Sequence, residues 1–343
     1  MRDATLHDVA VRAGVSARTV SNVVNGYAPV TAKTRAKVEQ ALAELDYRPN
    51  LMARNLANGR SGQIAVVVPY LDTPYFSELL QAIIPRVRGR GYNVLVDQTD
   101  GIREHESELL RLGKRMFPFD GMILSPLALA QADLRDRDPA MPLVILGERS
   151  SDGTFDHVGI DDVQAAREAV THLIELGRQR IAAIGDQPYA TGEAAQRRTR
   201  GYRQAFAAVS RPVDESLVIS TPRFNRADGA LAMAQLLDRE DPPDAVFCYS
   251  DLVALGAVHT LLNRGLRVPE DVAVIGFDDI EDGRYSHPTI STISPDKTLI
   301  AATAVDRLML RLDSRNAVPG IEVRTGHTLI ARQSTLGVSD RRP

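Results

Sequence analysis

Through the first 45 residues apolar positions recur at helical spacing. After residue 62 the pattern changes to short apolar runs alternating with amphipathic stretches. Leu6, Val9, Ala10 and Ala13 mark a first helix, with Thr5 and Asp8 placed as N-cap and first-turn acid. Gly14 stops it. Ser16 opens a second helix with Val20, Val23 and Val24 on its inner face, ended by Asn25-Gly26. Thr31 opens a third, striped by Val38, Ala41, Leu42 and Leu45. Three short helices with a tight turn between the first two predict a helix-turn-helix head. Pro49 closes it. Residues 50–58 predict one more short helix, and Gly59-Arg60-Ser61-Gly62 a linker.

The later apolar runs are IAVVVP (64–69), NVLVD (93–97), GMILSP (121–126), PLVILGE (142–148), RIAAIG (180–185), AVFCYS (245–250) and VAVIGFDD (272–279). Continuous apolar strands separated by amphipathic helices predict parallel sheets covered on both faces. The expected fold is a small all-α head, 1–48, a short helix and linker, 49–61, and an α/β body, 62–340, long enough for two Rossmann-like parallel sheets. Ligands of such sheets bind beyond the strand carboxyl ends, so the polar tails of these runs are the candidate site.

Charge divides along the same boundary. Residues 1–60 hold nine Lys/Arg and five Asp/Glu, leaving a net −7 on the rest of a chain whose total is −3. A basic head on an acidic body fits a polyanion-binding module. No apolar stretch is long enough to span a membrane, and the polar start MRDATLHDVA lacks a signal-peptide pattern. One cysteine, Cys248, cannot form an internal disulfide, which fits a reducing cytoplasm. Seven scattered histidines suggest no metal site, and no cofactor motif occurs: GxxxxGK[ST], G-x-S-x-G, HExxH and paired CxxC are absent. His105-Glu106 reads as a solvated helical face.

On the second helix, the face opposite its valines carries Ala17, Arg18, Ser21 and Asn22. Arg18 suits guanine and Asn22 adenine in a major groove. Ser16, Thr19, Ser21, Asn25, Thr31 and Thr34 suit phosphates. The segments TLHDVAVRAGVSARTVSNVVN and VTAKTRAKVEQALAELDYRPN resemble the head of the LacI/GalR family of bacterial transcription regulators. The shared pattern is acid–Val-Ala, Gly-Val-Ser, Thr-Val-Ser, Val-x-Asn and Tyr-x-Pro-Asn. The resemblance implies DNA contacts from Thr5, Tyr47 and Asn50. It places the operator-variable positions at Ala17, Arg18 and Asn22. In LMARNLANG it implies a hinge helix whose Leu56 wedges into the minor groove, with small Ala53 allowing two such helices to approach.

The body, roughly 62–335, is similar to the family's effector domain and through it to periplasmic ribose- and galactose-type sugar-binding proteins. The resemblance implies that the two Rossmann-like parallel sheets form separate lobes, with an effector site, most simply for a carbohydrate, at several strand ends. These supply Thr73, Tyr75 and Phe76; Ser125; Glu148 and Arg149; Arg198 from RRTRGYRQAF; Phe224; Ser250; and Asp278 from VIGFDD. Thr73 and Ser250 stand where the family has asparagines, and purine effectors also occur in the family. Asp251 is expected to cap the helix after Ser250. The resulting expectation is a homodimeric repressor of pseudo-palindromic operator DNA, controlled by a small molecule between two lobes. The alternatives are a transporter's solute-binding protein and a sugar-modifying enzyme.

Overall fold

The computed structural model describes residues 4–24, 30–47, 60–116, 119–129, 131–147, 153–188 and 193–337. The chain divides into two compact units, Met1–Gly62 and Gln63–Pro343.

The first unit contains α1 (Leu6–Ala13), α2 (Ala17–Val24) and α3 (Ala32–Glu44). Each start is fixed by a hydroxyl. Thr5 and Asp8 form a capping box on α1, Ser16 Oγ accepts from Thr19 N at 3.1 Å, and Thr31 caps α3 through Thr34 N. Gly14 ends α1 at φ 68°, a left-handed geometry a glycine adopts without side-chain strain. Val9, Ala10, Ala13, Val20, Val23, Val38 and Ala41 bury together as the core.

The second unit holds two six-stranded sheets. In the first, β1 (Gln63–Val68), β2 (Asn93–Gln98), β3 (Gly121–Leu124), β4 (Leu143–Leu146), β5 (Asp156–Gly159) and β11 (Glu322–Arg324) lie in the order β11-β5-β4-β3-β1-β2, all parallel. In the second, β6 (Ile181–Asp186), β7 (Val218–Ser220), β8 (Ala245–Cys248), β9 (Ala273–Phe277), β10 (Ser291–Pro295) and β12 (His327–Ile330) lie in the order β12-β10-β9-β8-β6-β7. Only β12 runs antiparallel, against β10. All seven expected strands form. Five end earlier than their apolar runs, so that Ser125, Ser250 and Asp278 fall just past strand ends. β5, β7, β10, β11 and β12 are additional.

Helices cover both faces. They are α4 (Pro74–Gly89), α5 (Arg103–Met116, broken at Gly113), α6 (Gln131–Arg135), α7 (Asp162–Glu175), α8 (Glu193–Ala208), α9 (Arg226–Leu237), α10 (Asp251–Asn263), α11 (Glu281–Tyr285), α12 (Lys297–Asp313) and α13 (Gln333–Leu336). Leu79, Leu80, Ile83 and Val87 of α4 pack with Ile300, Ala304, Val305 and Leu308 of α12 on the first sheet. The chain therefore crosses between lobes after β5, after β10 and between β11 and β12. Glu106 corrects the solvated-face expectation. It is fully buried and accepts hydrogen bonds from the N–H groups of Leu127, Ala128 and Leu129 at 2.8, 2.9 and 3.0 Å. Neighbouring His105 is exposed.

Candidate functional site

In the head, Ala17 and Arg18 are exposed at the start of α2, one turn ahead of partly buried Ser21 and Asn22. The hydroxyls expected at phosphates also serve as caps: Ser16 Oγ lies 2.9 Å from Thr19 Oγ1, and Thr31 Oγ1 2.9 Å from Thr34 Oγ1. Tyr47 packs against the head's core. Asn25, Asn50, Ala53 and Leu56 lie outside the described residues.

In the body, a cleft of about 540 Å3 is lined by the carboxyl ends of strands from both sheets. Thr73, Tyr75, Phe76, Ser125, Arg198, Phe224, Ser250 and Asp278 all line it. These eight come from six separate places in the chain. Glu148 and Arg149 lie outside the described residues. Tyr75 and Phe76 meet edge to face, their ring centres 5.2 Å apart, which leaves aromatic surface for an apolar ligand face.

Arg198 is the most constrained group of the site. Its Nε donates to Asp162 at 3.0 Å, Nη1 donates to the Tyr249 carbonyl, and the guanidinium carbon lies 3.7 Å from the centre of the Phe277 ring. Arg198 and Asp162 are 6% and 2% exposed, so the pair is desolvated and each charge depends on the other. Gly201 makes the approach possible: a Cβ there would stand 2.3 Å from the Val163 carbonyl, so α8 lies directly on α7. Asp162 was missed as a cleft residue in the sequence. It follows β5, whose DHVG carries a single aliphatic residue, although an acid after a strand was the signal that identified Asp278.

Asp278 sits just beyond β9 with φ 109°, followed by Asp279 at φ 50°. Two successive non-glycine residues in the left-handed half of backbone space are strained, a feature that clusters at ligand sites. Burial pushes the Asp278 carboxyl up to about 7, and Asp162 and Glu78 add to the rise while Arg198 and Lys297 oppose it. Ser250 lines the cleft, and it, rather than Asp251, caps α10, accepting from Val253 N at 3.2 Å. Asp251 is fully buried behind the site and accepts from Thr292 Oγ1 at 2.7 Å and Ile280 N at 2.9 Å. Burial holds its carboxyl well above the usual range. Cys248 is buried, and its thiol is likewise pushed up, away from the range of a reactive thiolate.

A two-lobed α/β body with a polar, aromatic-walled cleft, carried on one chain with a helix-turn-helix unit, defines the class of ligand-responsive transcription regulators. Residues 5–50 match the family model for bacterial regulatory proteins of the lacI family, and residues 170–335 match that for the periplasmic binding protein-like domain. The transcriptional repressor CytR of Escherichia coli strain K12 is 34% identical over 97% of this chain and 96% of its own length. The transcriptional regulator DegA of Bacillus subtilis strain 168 is 33% identical over 84% of this chain and 86% of its own. Among solved structures, the lac repressor dimer bound to operator and an anti-inducer superposes with TM-score 0.84 at 31% identity, covering 98% of this chain and all of that one. The CelR–cellobiose complex superposes at 0.70 and 30% identity, covering 96% and 99%.

The chain belongs to the lacI family of bacterial regulatory proteins. It is a DNA-binding transcription regulator, and the solute-binding-protein alternative is set aside. Its relatives are regulators rather than enzymes. No helix among the described residues is long and apolar enough to cross a membrane.

Proposed function

We propose that the protein is a cytoplasmic repressor that binds a pseudo-palindromic operator as a homodimer and responds to a small polar effector, most simply a carbohydrate, held between the lobes. Residues 1–48 read the operator, 49–61 form the hinge with Leu56 as minor-groove wedge, and 62–340 bind effector and dimerise. No catalysis, metal or cofactor enters this reading.

The observation that carries it is the cleft: fixed donors on Arg198, fixed acceptors on Asp278 and aromatic walls converge from both lobes. Arginine and carboxylate can each hold paired hydroxyls through two hydrogen bonds. Carbohydrate is favoured by Tyr75, Phe76 and Phe224, whose rings offer surface to the apolar face of a sugar. Two solved neighbours, one holding cellobiose and another ribose, support the same choice. Effector in the cleft favours one arrangement of the lobes, and the operator favours one as well, so each changes the affinity of the other.

The test has two steps. The full chain is used to select duplexes from a random DNA pool, and the expected product is a two-fold symmetric sequence. The protein is then screened by thermal shift against mono- and disaccharides and nucleosides. A ligand at a hundred times its Kd stabilises by about 2.7 kcal/mol. Enrichment of no duplex, or stabilisation by none of these ligands, contradicts the reading.

A further inference from the structure

The ion pair Glu78–Lys297 lies outside the lining of the cleft and belongs to no function assigned so far. Both partners are on lobe 1, Glu78 in the second turn of α4 and Lys297 at the start of α12, and the apolar faces of these helices share one core. Both also reach the other lobe. Glu78 Oε1 accepts from the backbone N–H of Glu281 at 3.0 Å, while Lys297 Nζ donates to the backbone carbonyl of Asp279 at 3.1 Å. One ion pair thus holds a donor and an acceptor of the same loop, two residues apart, between β9 and α11 of lobe 2.

That loop carries Asp278. On its own lobe it is fastened by other groups. The Asp279 carboxylate accepts from Arg332 at 2.6 Å, from Arg284 at 3.0 Å and from Ser294 Oγ at 3.0 Å, and Ile280 N donates to Asp251. Rotation of the lobes leaves those bonds intact and stretches the two made by Glu78 and Lys297. Lys297 Nζ also lies 5.8 Å from the ring centre of Tyr75, which lines the cleft.

We propose that Glu78 and Lys297 form a clasp across the lobes, positioning residues that hold the left-handed Asp278–Asp279 loop and release it when the lobes separate. The clasp makes the placement of Asp278 depend on the arrangement of the lobes, which gives one effector contact unequal value in the two arrangements. Such unequal contacts are what allow a ligand to shift an equilibrium. The link to effector control rests on the function proposed above. The clasp itself does not, and it is measurable without effector or operator.

The experiment uses the full chain with nitroxide labels on Arg88→Cys in lobe 1 and Glu240→Cys in lobe 2, diluted with unlabelled protein. Cys248 is fully buried and stays unlabelled. Inter-lobe distances are measured beside deuterium exchange of residues 278–285. Glu78→Ala and Lys297→Met are expected to speed exchange of this segment roughly tenfold, the signature of a lowered local opening free energy. They are also expected to broaden the distance distribution. Glu78→Gln, nearly isosteric, keeps the acceptor for Glu281 N–H and is expected to fall between. The exchanged pair Glu78→Lys with Lys297→Glu restores the attraction but faces the Glu281 N–H with a cation, and is expected to stay loose. Wild-type distances in Glu78→Ala and Lys297→Met, even with faster exchange, would make the pair a local brace and overturn the clasp. So would full recovery in the exchanged pair. Either failure leaves the proposed function standing.

Discussion

Asp278 is the residue on which chemistry and conformation meet. Its folded pKa, about 7, lies above the value of about 3.9 for a free aspartate. Between those limits the native state holds a proton that the unfolded chain has lost, so stability falls as pH rises, and the loss is complete above the folded pKa. Asp278→Asn carries no such proton. Its melting temperature relative to wild type should rise between pH 5 and pH 8, and a constant difference would contradict the assignment. Arg18 makes a separate test in the head. Arg18→Ala should weaken operator binding by ~1–3 kcal/mol and relax preference at one base pair, as loss of a direct base contact does. Uniform weakening on all duplexes would place Arg18 on phosphate. Asp278 was legible because a polar residue following an apolar run marks a strand end, and Arg18 because it lies on the face of α2 opposite its valines. Asp162 and Glu106 were not, because burial of a carboxylate is decided by partners far along the chain: Arg198 for one, three backbone N–H groups for the other.

At the level of elements, the pairing of α7 with α8 holds Arg198 against Asp162. Its close approach is set by Gly201, where a methyl group would meet the Val163 carbonyl at 2.3 Å. Gly201→Ala should force the helices apart, cost about 1–3 kcal/mol by overpacking and weaken effector binding through the displaced guanidinium. Chemical denaturation and ligand titration of the one variant check both parts; unchanged effector affinity would separate the helix contact from the site. The α-helical periods and the seven apolar strands could be read directly. β10 could not, because its Ser291, Thr292 and Ser294 are polar although two of them are fully buried; the Ser291 hydroxyl is satisfied by the Arg332 carbonyl and Thr335 Oγ1, and that of Thr292 by Asp251. β7 and β11 have only three residues each, too short for a period of two to register.

For the whole molecule, the pattern of runs foretold parallel sheets with a site beyond their strand ends, and the cleft joins eight of the ten residues expected there. It did not foretell which strand belongs to which sheet. β11 completes lobe 1 and β12 lobe 2, although only residues 325 and 326 separate them. Crossing points of this kind depend on tertiary packing and leave no local periodicity. Ligand held between the lobes is proposed to govern the affinity for DNA. The most direct measurement is operator affinity of wild type and Asp278→Ala, each with and without the ligand found by thermal shift. Ligand is expected to change operator affinity in wild type and to leave the variant unresponsive, with the two ligand-free affinities alike for an inducer and the variant fixed at weak binding for a corepressor. A full wild-type response in Asp278→Ala would contradict that expectation.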